Sequence, residues 1–307
     1  MFMIYFWRLI FSVIIAFSLI FITPSAHSLA VTDNEITATD LFKLGVKQMQ
    51  QENYQAAIEY LNLAIKMQHQ YTAAYKNRCL AYLQLQDYHQ AIADCTQALN
   101  LVTDDSEAYL RRGLAEYRKG NYLDAITDYN QALAIKPDDF RAYYNRGITF
   151  AEQGNYFQAI IDYNQALSNI TPNNNLLLSD IYNDRGLAYF DLQNLSAAML
   201  DFGLAIELNP NDDRAYFNRG CICGRIGDNL GARHDFSQVI RLNHSNALAY
   251  LNRGIANYKL EYYQRAIADL QQASKYFAKQ EQTLASQKTL DLLKIVQQEI
   301  SSVSEIA

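Results

Sequence analysis

The side chains that could do chemistry are few, and most are poorly spaced for it. His27, His69, His89, His234 and His244 share no metal-ligand spacing, and the chain holds no Gly-rich phosphate loop and no nucleophile elbow. Cys221 and Cys223 lie two apart, so on a helix they point to different sides. One charged pattern is regular. Arg78, Arg112, Arg146, Arg185, Arg219 and Arg253 each precede, by the same interval, Asp94, Asp128, Asp162, Asp201, Asp235 and Asp269. Such a column could read phosphates as a ladder or close on itself as ion pairs. No catalytic group accompanies it, so the expectation is a non-enzymatic protein with no cofactor and no metal.

Composition says what kind of elements must carry these residues. Half of the 307 residues are hydrophobic, enough for a large core, and only 4 Pro and 12 Gly occur. That favours helices over sheet. Lys plus Arg number 26 against 32 Asp plus Glu, a net charge of −6, which argues against sequence-independent nucleic-acid binding. Tyr is unusually common, with 23 copies against a single Trp.

A fixed period explains these numbers. Tyr-x-Asn-Arg-Gly or a close variant ends at Cys79, Gly113, Gly147, Gly186, Gly220 and Gly254, and a degenerate copy ends at Gly45. With Ala38 as position 1, units fall at 38–71, 72–105, 106–139, 140–173, 179–212, 213–246 and 247–280, with an insertion at 174–178. Each reads as two short helices. Small residues recur at position 8, at position 20 (Ala57 through Ala266) and at position 27, where close packing allows nothing larger. Asn53, Asp87, Asn121, Asn155, Asn194 and Asp228 at position 16 predict caps for the second helix, and only Tyr262 departs. Pro137, Pro172 and Pro210 mark where that helix stops. The first unit carries Leu44 and Tyr60 in place of both members of the Arg–Asp pattern, and this joint absence favours an ion pair inside each hairpin. Tyr at positions 4 and 17 shares the period and is expected to pack between helices.

These seven registered copies resemble the tetratricopeptide (TPR) family over residues 38–280. The resemblance implies an all-α superhelical solenoid of seven helix-turn-helix units, ended by a capping helix within 281–307. There Leu290, Leu293, Val296, Ile300 and Val303 keep helical spacing. The same tail could instead fold into the groove as a self-ligand.

The family lines its concave groove with positions 2, 5, 6, 9, 12 and 13 of the first helix. Carried over, position 6 gives Asn77, Asn145, Asn218 and Asn252, with Arg111 and Asp184 in two other units. A row of Asn can bond the backbone of an extended peptide, or can merely bridge helices; both readings stand. Tyr144 and Phe217 at position 5, and Tyr117, Phe190 and Tyr258 at position 12, add groove aromatics suited to an interface. Asp180, Asp184 and Asp191 share the groove face, and Asp180 and Asp184 repel unless a cation compensates. Either they read a Lys or Arg of a partner or they are simply solvated. A clamp for terminal carboxylates fails, because Phe42, Val46 and Glu107 are wrong for it and only Asn77 and Arg111 match. The implied function is a scaffold or assembly factor that holds an extended segment of another protein. The alternatives are a membrane-tethered adaptor working through its convex face or loops, and a solenoid that binds a small ligand or glycan.

Residues 1–22 are apolar apart from Arg8, Ser12 and Ser18, and small residues Ser28 and Ala30 follow at cleavage-site spacing. Residues 1–30 are therefore read as a signal peptide or, if uncleaved, an N-terminal anchor, with 31–37 as a lead-in. Either places the repeats outside the cytoplasm: in a periplasm, in a thylakoid lumen (the repeat style resembles cyanobacterial TPR proteins) or secreted. Cys79 and Cys95 could face each other across a hairpin, but helix separation makes two buried thiols the expected state. Leu176, Leu177 and Leu178 of the insertion are expected on a loop. The sixth unit, with Gly224, Gly231 and Arg233, is expected to be the weakest.

Overall fold

The computed structural model describes residues 36–171 and 174–306, so the expected export segment and Pro172 lie outside the described residues. Fifteen helices and no strand are found there. They form seven hairpins: α1 (Ala38–Gln50) with α2 (Tyr54–Met67), α3 (Thr72–Gln84) with α4 (Tyr88–Leu101), and α5 (Ser106–Lys119) with α6 (Tyr122–Ile135). Next come α7 (Phe140–Glu152) with α8 (Tyr156–Asn169) and α9 (Asn175–Asp191) with α10 (Leu195–Leu208). The last are α11 (Asp213–Ile226) with α12 (Asn229–Leu242) and α13 (Ala247–Lys259) with α14 (Tyr263–Lys279). Then α15 (Thr283–Ile306) packs Leu293 and Val296 on Leu270 and ends the stack.

Each hairpin closes where position 8 meets position 24. A Cβ added to Gly113 would lie 2.8 Å from the Tyr129 ring, one on Gly147 2.8 Å from Tyr163, and one on Gly186 2.7 Å from Phe202. The second helix thus lays a large side chain directly on the backbone of the first. In α3–α4 the same two positions are Cys79 and Cys95, and they are joined as a disulfide with Cα atoms 5.6 Å apart. This corrects the expectation of two thiols. The helices are closest at this point, and 5.6 Å lies within the span a disulfide bridges.

The Arg–Asp columns close inside the hairpins, as expected from their joint absence in the first unit. Arg146 donates from Nε and Nη2 to both oxygens of Asp162 at 2.7 Å, and the other five pairs repeat this fork at 2.6–2.9 Å. The remaining nitrogen links hairpins: Arg78 reaches Asn62 and Arg146 reaches Asn130, both at 2.5 Å, while Arg112 reaches Thr96 at 3.1 Å. Each guanidinium also lies over the position-4 Tyr, as Arg146 does over Tyr143 at 5.5 Å.

Two local details depart from the sequence reading, at the position-16 caps and at the inserted leucines. Caps at position 16 form at Asp87, Asn155, Asn194 and Asp228, but Asn53 and Asn121 instead bond Gln48 and Glu116 of the preceding helix. The chain turns through a left-handed residue at position 15, and although Gly120, Gly154 and Gly227 fill it in three units, Glu52, Gln86, Gln193 and Glu261 do so elsewhere. Finally, the inserted leucines are not on a loop. Asn174 caps α9 by accepting from the Leu177 amide, so all three lie in its first turn, with Leu177 and Leu178 packed on the core and Leu176 exposed.

Candidate functional site

The first helices place their groove positions side by side, and the charges there are largely matched between neighbours. At position 2, Arg141 donates to Glu107 at 2.8 Å and Arg214 to Asp180 at 2.5 Å, so acid and base alternate from unit to unit. The carboxylates that cap these helices join in. Asp139 holds Arg141 and Asp212 holds Arg214, each at 2.7–3.0 Å, while Asp105 accepts from Lys76 at 2.6 Å. Burial pushes the Glu107 carboxyl up, but the Arg141 hydrogen bond and the charges of Arg111 and Arg141 outweigh it and hold it below its ordinary value. Arg111 also donates to the Lys76 carbonyl at 2.8 Å, stitching the second hairpin to the third.

The Asn row is divided. Asn77 donates to the Ala73 carbonyl of its own helix at 2.8 Å, and Asn218 bridges to Asn183 at 3.0 Å. Asn145 and Asn252 make no side-chain hydrogen bond among the described residues, and Asn252 borders a cavity of about 190 Å³ with Cys221 and Lys259. The aromatics are half-buried. Tyr117 pairs with Tyr122 at 5.8 Å, Phe190 lies under Arg225 at 5.7 Å, and Phe217 meets Phe236 edge-on at 5.6 Å. Tyr258 donates to Glu299 of α15, so the cap engages this end of the groove.

Two cavities open on the groove face of the fourth to seventh hairpins, and they share Asp184 and Leu187. One, of about 440 Å³, is bordered by Glu152, Tyr156, Tyr163, Asp184, Leu187 and Asp191. The other, of about 430 Å³, is bordered by Asp184, Leu187, Arg214, Phe217, Asn218 and Leu248. Between them Tyr144 donates its hydroxyl to Asp184 at 2.7 Å. Burial pushes the Asp184 carboxyl above its ordinary value, against the hydrogen bonds from Tyr144 and Asn183. The Tyr117 phenol is raised by burial and by the negative field of Glu152 and, more weakly, Asp184. Asp180 is therefore compensated by Arg214, whereas Asp191 and Glu152 are exposed and make no ion pair among the described residues. Glu152 and Leu187 are the residues the sequence reading passed over, although positions 13 and 9 were already groove positions. No cluster of His, Cys, Asp and Glu suited to a metal occurs among the described residues, and no helix there is long and apolar enough to cross a membrane.

A stack of helical hairpins with a lined concave face defines a repeat scaffold of the protein-interaction class. Sequence profiles described as TPR repeat match residues 113–154, and others described as tetratricopeptide repeat match 42–108, 140–170, 179–212 and 224–280. The chain belongs to the tetratricopeptide repeat family. No curated protein matches it. Among solved structures it is similar to YrrB, described as a TPR protein with an unusual peptide-binding site, at 23% identity over 63% of this chain and 97% of that one, with a TM-score of 0.53. It is also similar to Pseudomonas aeruginosa pilF, at 19% identity over 72% and 96% of the two chains, with a TM-score of 0.61. A third is a chain of the APC/C hetero-tetramer Cut9–Hcn1, at 18% identity over 74% of this chain, with a TM-score of 0.60; this chain spans 44% of that one. At these identities the likeness concerns the fold.

Proposed function

We propose that the groove of the fourth to seventh hairpins holds an extended segment of another protein and takes a Lys or Arg side chain of that segment between Glu152, Asp184 and Asp191. The carrying observation is the pair of cavities that meet at Asp184 and Leu187: one bears three carboxylates and no cationic side chain, while the other offers Phe217 and Leu248. An acidic recess beside an apolar one suits a peptide with a basic residue followed by an apolar residue. Asn145 supplies a donor and an acceptor for the segment's backbone. No catalytic step is assigned, so the protein acts as a scaffold or assembly factor.

The repeats are further read as lying outside the cytoplasm, delivered by residues 1–30. The Cys79–Cys95 disulfide supports this placement, because such bonds persist in oxidising compartments. The test compares the full-length chain with a Tyr144→Ala, Asn145→Ala, Phe217→Ala variant as baits in extracytoplasmic and membrane fractions. A protein held by the parent and lost by the folded variant is the expected result. Equal recovery by both would move the site to the convex face or the loops.

A further inference from the structure

The outer face between the sixth and seventh hairpins breaks the repeat pattern at several points that meet in space. Position 21 is Ile58, Ile92, Ile126, Ile160, Met199 and Ile267 in six units, but Arg233 in the sixth. Position 16 is Asn or Asp everywhere except Tyr262, and Arg265 stands three residues on. Arg233 and Arg265 both lie over the Tyr262 ring, at 5.2 and 5.4 Å from its centroid, and neither forms an ion pair among the described residues. Together they border a cavity of about 410 Å³ whose wall includes Arg253, Asn257 and Asp269. That volume falls in the range of small-molecule sites.

The wall's one carboxylate is already spent. Asp269 accepts from Arg253 at 2.7 and 2.9 Å and from Asn257 Nδ2 at 2.9 Å. The two guanidiniums on Tyr262 therefore leave two positive charges unmatched in a chain whose net charge is −6. A second, independent sign comes from Asn257. It is 3% exposed, it lines the cavity, and its Oδ1 has no hydrogen-bond partner. A buried acceptor without a donor is costly, and a ligand that supplies an O–H or N–H removes that cost.

We propose that this cleft binds a phosphate monoester of a small hydroxylated molecule. The dianionic phosphate matches the two free guanidiniums in charge, where a monocarboxylate would neutralise one of them. A hydroxyl on the organic part donates to Asn257 Oδ1. Tyr262 keeps Arg233 and Arg265 together before the ligand arrives, which offsets their mutual repulsion. The site is distinct from the peptide groove: its two unmatched guanidiniums stand at position 21 of α12 and position 19 of α14, on second helices, and Arg253 and Asn257 of α13 complete the wall.

The test is calorimetric titration of the full-length chain in phosphate-free buffer with glycerol 3-phosphate, inorganic phosphate and succinate, with melting curves in parallel. Saturable one-to-one binding of glycerol 3-phosphate is expected, at least about tenfold tighter than either inorganic phosphate or succinate. Arg233→Ile, which installs the residue of five other units, should weaken it about tenfold or more while keeping the melting temperature. If that variant fails to fold, the exposed Arg265→Gln should show the same loss. No saturable binding, equal binding of succinate or inorganic phosphate, or full affinity in the folded Arg233→Ile chain would each overturn the assignment.

Discussion

Replacing Arg146 by Leu should destabilise the fourth hairpin far more than its surface position suggests. Asp162 is 3% exposed and accepts two short hydrogen bonds from Arg146, whose side chain remains 19% exposed. The single change strands a buried carboxylate, for which removal of one partner costs about 3–5 kcal/mol. Residual solvent access beside the pair lowers the expectation to about 3 kcal/mol. The first hairpin shows a neutral solution at the same two positions, Leu44 and Tyr60. An Arg146→Leu, Asp162→Tyr double variant should therefore cost only about 1 kcal/mol, about 2 kcal/mol less than Arg146→Leu alone, and the cost of Asp162→Tyr alone adds to that difference to give the coupling in a double-mutant cycle. Because repeat arrays need not unfold in one step, the cycle is best read by native-state hydrogen exchange in α7 and α8, with urea midpoints as a check. Coupling below about 0.5 kcal/mol would refute the buried-clasp argument.

Gln86 sits at φ 61° with its side chain exposed, so Gln86→Gly should stabilise by about 1 kcal/mol, read as a higher urea midpoint; no gain would mean the turn is unstrained. The raised Asp184 carboxyl makes the folded protein bind a proton more readily than the unfolded chain. This group's contribution to stability therefore falls as pH rises from about 4 through its folded value, and Asp184→Asn should remove that slope from melting curves taken between pH 4 and 7. Alkylation of the unreduced, unfolded chain should label Cys221 and Cys223 and spare Cys79 and Cys95. Cys95→Ala should lower stability by about 3 kcal/mol in loop-closure terms, and labelling of all four cysteines would show the hairpin is not cross-linked.

The hairpins were legible because seven copies of one pattern make each position a controlled comparison. Gly45 through Gly254, the position-20 Ala and the Arg–Asp columns all do in space what their recurrence implied. Pairings between units were less visible. Glu107 with Arg141, and Asp180 with Arg214, are opposite charges one period apart, a signal present in the sequence but meaningful only once neighbouring first helices lie side by side. Asp139 and Asp212, the last residues of their units, cap the next helix and hold an Arg within it. The disulfide was undervalued because average helix spacing was applied to the one point where Gly elsewhere shows the backbones to be closest. Gly231 was read as a weakness, but a Cβ there would lie 2.2 Å from the capping carboxylate of Asp228. The acidic recess pairs Glu152 with Asp191, both at position 13 of consecutive hairpins, a like-charge pair one unit apart that acquires meaning only once neighbouring first helices lie side by side.

The groove reading is tested most directly by selecting a random peptide library against the full-length chain and against an Asp184→Asn, Asp191→Asn, Glu152→Gln variant. The account predicts that parent-selected peptides share a Lys or Arg at one fixed position and that this preference disappears with the variant. Enrichment without a basic residue, or a basic preference that survives the three substitutions, would contradict it.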